Sequence, residues 1–116
     1  QDLAQKRQAD EVDLRVKVYL CRALGEFEIA DGVPTLIEVV DKQTSPELVP
    51  VRCAAIEALA LLLDGPAGQA TRDHSQLVPA LVGASRADDS AVRTRAAFAL
   101  GVAGGDAATQ RLIEML

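Results

Sequence analysis

The chain has 116 residues, 49% of them apolar but only 3% aromatic, with no Trp; that suffices for one compact domain or a short solenoid with a core of Leu, Val, Ala and Ile. Its net charge of −5 disfavours nucleic acid as a main partner, because phosphate neutralisation needs clustered Lys and Arg. No apolar run approaches the roughly 20 residues of a membrane-spanning helix; the longest, Ala54 to Leu63, is interrupted by Glu57.

Cys21 and Cys53 form no metal-ligand spacing and are too few for a disulfide framework, so two buried or half-buried thiols are expected. The chain starts with Gln1 and shows no signal peptide. The expectation is a processed or excised piece of a larger protein, with a cytoplasmic location favoured but not fixed.

In chain order, Asp2 predicts the cap of a short helix ending near Gln8, and the carboxylates Asp10, Glu11 and Asp13 predict a turn and a new start. The second predicted helix runs from about 12 to 27, with Val16, Leu20, Ala23, Leu24 and Phe27 as its buried stripe and Gly25 near its end as a cap. A third covers about 33 to 41, with Pro34 in its first turn and Val33, Leu36, Ile37 and Val40 inward. Pro50 opens the fourth, about 51 to 63, which is apolar nearly all round and therefore predicted to be central. Residues 65 to 73 read as a flexible linker. Ser75 is a candidate cap for a fifth helix over about 76 to 87. Asp88-Asp89-Ser90 precede a sixth over about 91 to 103, and Gly104-Gly105 and Asp106 precede a last one to Leu116.

Two recurrences join these elements. Val16 to Gly25, Val51 to Ala60 and Val92 to Gly101 align without gaps, each a Val, then a base, then an Ala-Leu pair. Their starts at 16, 51 and 92 lie 35 and 41 residues apart. Independently, Val33-Pro34-Thr35-Leu36-Ile37 is echoed by Val78-Pro79-Ala80-Leu81-Val82. A two-helix unit at this period is the signature of a stacked helical array.

The unit, an A helix with Val-Pro-x-Leu-[Ile/Val] and a B helix with Val-Arg-x-x-Ala-x-x-Ala-Leu-Gly, resembles the HEAT repeat, in particular the short bacterial, phycobilisome-lyase-like kind. The resemblance implies an all-α, right-handed superhelical solenoid of about seven helices in three to three and a half repeats. Its units fall at about 1–27, 33–63 and 75–104, with a partial one at 106–116. It further implies that a turn carboxylate faces the B-helix Arg, pairing Glu47 with Arg52 and Asp88 with Arg93. Lys17 departs from the pattern, with Glu11 or Asp13 as possible partners.

Little in the sequence points to chemistry. His74 is the only His and reads as a solvated loop residue; the His-Glu pairs of the HEAT-built di-iron hydroxylases have no counterpart. No catalytic residue, metal or cofactor is expected. What remains is surface. In the resembled family the B helices line the concave side. The positions turned away from the Val/Ala/Leu stripe there are Val18, Tyr19 and Arg22, then Cys53, Ala54 and Glu57, then Thr94, Arg95 and Phe98. Of these Tyr19, Arg22, Glu57, Arg95 and Phe98 are the candidate partner-binding residues; the competing reading packs Phe98 between repeats and leaves Tyr19 on the N-terminal helix. The expected function is a non-catalytic protein-interaction or scaffold module. The alternatives are a small-ligand-binding or lyase-type accessory subunit of tetrapyrrole chemistry, and a spacer whose length is its function.

Overall fold

A computed structural model describes residues 2–116, and among these it holds seven α-helices, two 3-10 turns and no strand. The first helix, α1 (Leu3–Glu26), is a single 24-residue rod where two helices were expected. It starts with a reciprocal cap: the Gln5 N–H donates to Asp2 Oδ1 (2.8 Å) and the Asp2 N–H to Gln5 Oε1 (3.3 Å). Asp10, Glu11 and Asp13 do not break it, because no Gly or Pro lies between residues 3 and 24 and Asp13 pairs with Lys17 one turn on, at 3.2 Å.

The chain leaves α1 through Glu28, which adopts a left-handed backbone (φ 54°), and a 3-10 turn at Ala30–Gly32. Then come α2 (Val33–Lys42), a second 3-10 turn at Pro46–Leu48, and α3 (Val49–Asp64). Pro34 and Pro50 sit in the first turns of α2 and α3, where a missing N–H costs nothing. The expected linker instead contains a short helix, α4 (Gly68–Arg72). Thr71 holds it down: its side chain is fully buried and its hydroxyl donates to the Ala67 carbonyl (2.8 Å). After it follow α5 (Leu77–Ala84), α6 (Ser90–Ala103) and α7 (Asp106–Glu114). Gln76, not Ser75, is the cap residue of α5. The α6 cap is Asp89, whose Oδ1 accepts from the Ala91 and Val92 N–H groups at 2.8 and 3.3 Å. Gly104 and Gly105 take positive φ (68° and 86°), so the turn from α6 into α7 needs glycine at both places.

The helices form two layers. One row runs α1, α3, α6; the other runs α2, α5, α7; neighbours within each row pack together, and across the layers α2 packs on α3 and α6 packs on both α5 and α7. This is an all-α, HEAT-like stack, 51 × 31 × 17 Å, with a radius of gyration of 14.5 Å against roughly 13 Å for a closed globule of this length. As its all-round hydrophobicity predicted, α3 is central, with eleven of its sixteen residues buried.

The inner face of α1 was misassigned. Val16, Leu20 and Phe27, expected inside, are exposed; the covered stripe of α1 is Leu14, Val18, Cys21 and Gly25. The reason is that α1 leans on α3 alone in its row. Gly25 is also not a terminal cap. It lies inside the helix against α3, where a Cβ would fall 2.7 Å from the Ala58 Cα.

Two glycines inside helices therefore test the packing. At Gly25 an added methyl gains about 1 kcal/mol of helix propensity but collides with backbone, which costs about 1–3 kcal/mol. At Gly101 of α6 nothing lies within 4 Å of an added Cβ. Urea denaturation should show Gly25→Ala less stable than the parent and Gly101→Ala more stable; equal shifts at both positions would contradict the close α1–α3 contact.

Candidate protein-interaction surface

The B helices α1, α3 and α6 carry the five candidate residues. Tyr19, Arg22, Glu57, Arg95 and Phe98 are all partly or wholly exposed, and the rings of Tyr19 and Phe98 are each 68% exposed. Phe98 is thus not packed between repeats. The ridge is not continuous, however. Cys53 and Ala54, expected to face outward on α3, are buried, because α1 and α6 close over that helix from both sides.

The candidates divide between two grooves. Glu57 and Leu61 of α3 and Arg95, Phe98 and Val102 of α6 line an open, mainly apolar groove of about 710 Å3, with Asp64 at one end. Arg95 is fixed in its wall: its Nε donates to Glu57 Oε1 and its Nη1 to the Ala91 carbonyl (3.2 Å). The hydrogen bond to Glu57 raises the Arg95 pKa above its ordinary value, and partial desolvation opposes that rise. Tyr19 and Arg22 line a second groove of about 440 Å3 between α1 and the start of α3, with Leu14, Val18 and Pro50. In repeat register Val18, Tyr19 and Arg22 stand where α6 has Thr94, Arg95 and Phe98. Leu61, half exposed beside Phe98, was missed in the sequence because its stretch reads as uniformly apolar core.

The expected carboxylate–arginine pairs are corrected. Arg52 does not meet Glu47; its Nε donates to the Val40 carbonyl in the last turn of α2 (2.8 Å), and the residue is only 8% exposed. Burial pulls its pKa below the ordinary value, while Asp41 pushes it back up. Arg93 does reach Asp88, but at the backbone: Nη1 donates to the Asp88 and Ala87 carbonyls (2.6 and 2.9 Å). The C-terminus of α2 leaves its last carbonyls unpaired and carries partial negative charge, so it competes directly with a carboxylate for Arg52, whereas Arg93 takes carbonyls of the turn between α5 and α6. Glu47 is exposed and gains more from water. Two further arginines, unremarked in the sequence, act alike. Arg72 donates to the Ala103 and Val102 carbonyls (3.2 and 3.0 Å), and Arg111 to Ser85 Oγ and its carbonyl (2.7 and 3.4 Å).

His74 is half buried and structural: its Nδ1 accepts the Gln76 N–H (3.2 Å) ahead of α5. Cys21 and Cys53 are free, buried thiols whose pKa values burial raises. No cluster of His, Cys, Asp or Glu among the described residues could hold a metal ion, and no described helix is long and apolar enough to cross a membrane.

Two measurements follow. Arg52→Met should cost about 1–3 kcal/mol in urea denaturation, because the Val40 carbonyl loses its partner, whereas Glu47→Ala should stay within about 0.5 kcal/mol; equal losses would reinstate the carboxylate pair. Raised thiol pKa values mean less thiolate, so at mildly alkaline pH both cysteines should label with iodoacetamide much more slowly in the folded than in the urea-unfolded chain.

Against known proteins, residues 92–116, which hold most of α6 and all of α7, match the family model of the PBS lyase HEAT-like repeat. No curated protein and no solved structure matches the chain. The matched segment, α6 with α7, is similar to a PBS lyase HEAT-like repeat, and the helices before it pack in the same two rows.

Proposed function

We propose that the chain is a non-catalytic protein-interaction module, and that its partner docks along the exposed face of the B-helix row, centred on the groove between α3 and α6. One observation carries this reading. Phe98 and Leu61, large apolar side chains left exposed, flank a groove whose polar wall, Arg95 on Glu57, is already ordered before anything binds. An exposed aromatic beside a pre-positioned arginine is the composition of an interface hot spot, and ordering in advance lowers the entropy lost on docking. The second groove, at Tyr19 and Arg22, extends the same face towards α1. The supporting family trait is general: HEAT-like repeats are commonly interaction modules.

The test is a titration of a purified partner, recovered by affinity capture, against substituted chains of unchanged melting temperature. Phe98→Ala and Arg95→Glu should each weaken binding by about 30-fold, equivalent to about 2 kcal/mol. Tyr19→Ala reports whether the partner spans both grooves. Binding that survives Phe98→Ala and Leu61→Ala unchanged would remove the α3–α6 groove from the interface.

A further inference from the structure

The groove between α3 and α6 suits a helix better than an extended strand. Both walls belong to adjacent B helices, and most of their main-chain N–H and C=O groups are paired inside α3 and α6. An extended segment laid there would turn half of its own main-chain groups towards apolar walls that offer no partner, whereas a helix pairs its groups internally. The relief of the walls has helical spacing. Glu57, Leu61 and Asp64 follow one another along α3, and Arg95, Phe98 and Val102 along α6. Ala60 is small and buried, while Leu61 and Phe98 stand exposed. A hollow beside ridges is the surface that receives the apolar stripe of another helix. From 57 to 64 the wall is roughly 10 Å long at the usual helical rise, enough for about two turns of an occupant.

Charge is uneven along this groove. At one end Arg95 and Glu57 satisfy each other. At the other end stands Asp64, exposed, in the last turn of α3, where the helix dipole is also negative. A second carboxylate lies close by. The Oε1 of Glu28 is 2.6 Å from where a Cβ on Gly65, the residue after Asp64, would be. Neither Asp64 nor Glu28 forms an ion pair among the described residues. The guanidinium that reaches the same end of α6, that of Arg72, is engaged by the Val102 and Ala103 carbonyls. The selective charge of the groove is therefore negative and sits at the Asp64 end.

Resting on the reading of this groove as a docking site, we propose that its occupant is an amphipathic helix of a partner protein. That helix presents aliphatic side chains at i, i+4 and i+7 to Leu61 and Phe98, and a Lys or Arg to Asp64 and Glu28. The aliphatic anchors supply most of the affinity. The basic residue selects the partner and speeds an encounter that salt slows. A helix with the same anchors and an acidic residue at that place meets repulsion instead.

Two synthetic helical peptides of about 14 residues, close to four turns, test it by fluorescence anisotropy. Both carry leucines at i, i+4 and i+7 with Ala and Gln elsewhere. They differ only one turn beyond each end of the leucine stripe, with Lys in one and Glu in the other. At low salt the parent chain should bind the Lys peptide about tenfold more tightly than the Glu peptide, and the gap should narrow as salt is added. Glu28→Lys with Asp64→Lys, both at exposed positions, should reverse the order. Glu38→Lys with Glu47→Lys changes the net charge equally on exposed positions away from the groove and should preserve the order. Phe98→Ala should weaken both peptides. Equal affinities for the two peptides, both weakened by Phe98→Ala, would overturn the basic-helix assignment and leave the docking site standing. Peptides that bind indifferently to Phe98→Ala, or that fail to bind the parent at all, would overturn it as well, as would a control pair that reverses the order as fully as the groove pair does.

Discussion

Short helices leave a large fraction of their carbonyls unpaired, and the guanidinium groups that take those carbonyls hold this stack together. Arg52 on the end of α2, Arg93 and Arg111 on the segment after α5, and Arg72 on the end of α6 all donate to main-chain oxygens of another segment. Each such contact does two things. It gives main-chain oxygens a donor, a need that is greatest for the buried Val40 carbonyl, and it ties two segments of the stack together. The repeat pattern follows this logic. Arg52 and Arg93 hold the same repeat position on B helices that have an A helix before them. At that position α1 carries Lys17, and this lysine turns to Asp13 of its own helix.

Close approach between neighbouring helices is the second constraint. The B row uses Gly and Ala at its contact points, so main chains come together and large side chains are displaced to the edges of each interface. This leaves Leu, Ile and Val to fill the interior between the two layers and pushes the few aromatic rings outward. With so little aromatic surface in the chain, placing Phe98 and Tyr19 in the open is a departure from what burial alone would favour.

The architecture was legible because two separate patterns, one for each helix of the hairpin, recur with their own spacing. The central place of α3 was legible from its lack of a polar side. What failed in the sequence failed for identifiable reasons. Acidic residues near position 10 look like a helix start, yet without glycine or proline they are compatible with a continuing helix. The inner stripe of α1 was misplaced because periodicity shows that two apolar sides exist and not which one finds a neighbour. The residues after Gly65 resemble a linker by composition, but Thr71 is fully buried and Arg72 has long-range partners that no local pattern encodes. The arginine partners were misassigned because charge suggests a carboxylate, while main-chain oxygens are invisible in a list of side chains. Of the candidate surface, Phe98, Arg95 and Glu57 were found together; Leu61 was not, since a half-exposed leucine in an apolar run is indistinguishable from its buried neighbours.

The position of α3 has a mechanical corollary. It touches α1 and α6 in its own row and α2 across the layer, so it cannot unwind without dismantling its surroundings. The first turns of α1 touch almost nothing and can melt and reform by themselves. Local stability therefore declines from the middle helix outwards, so amide protons of α3 exchange with solvent only through whole-chain opening, whereas those near Leu3 exchange by fraying.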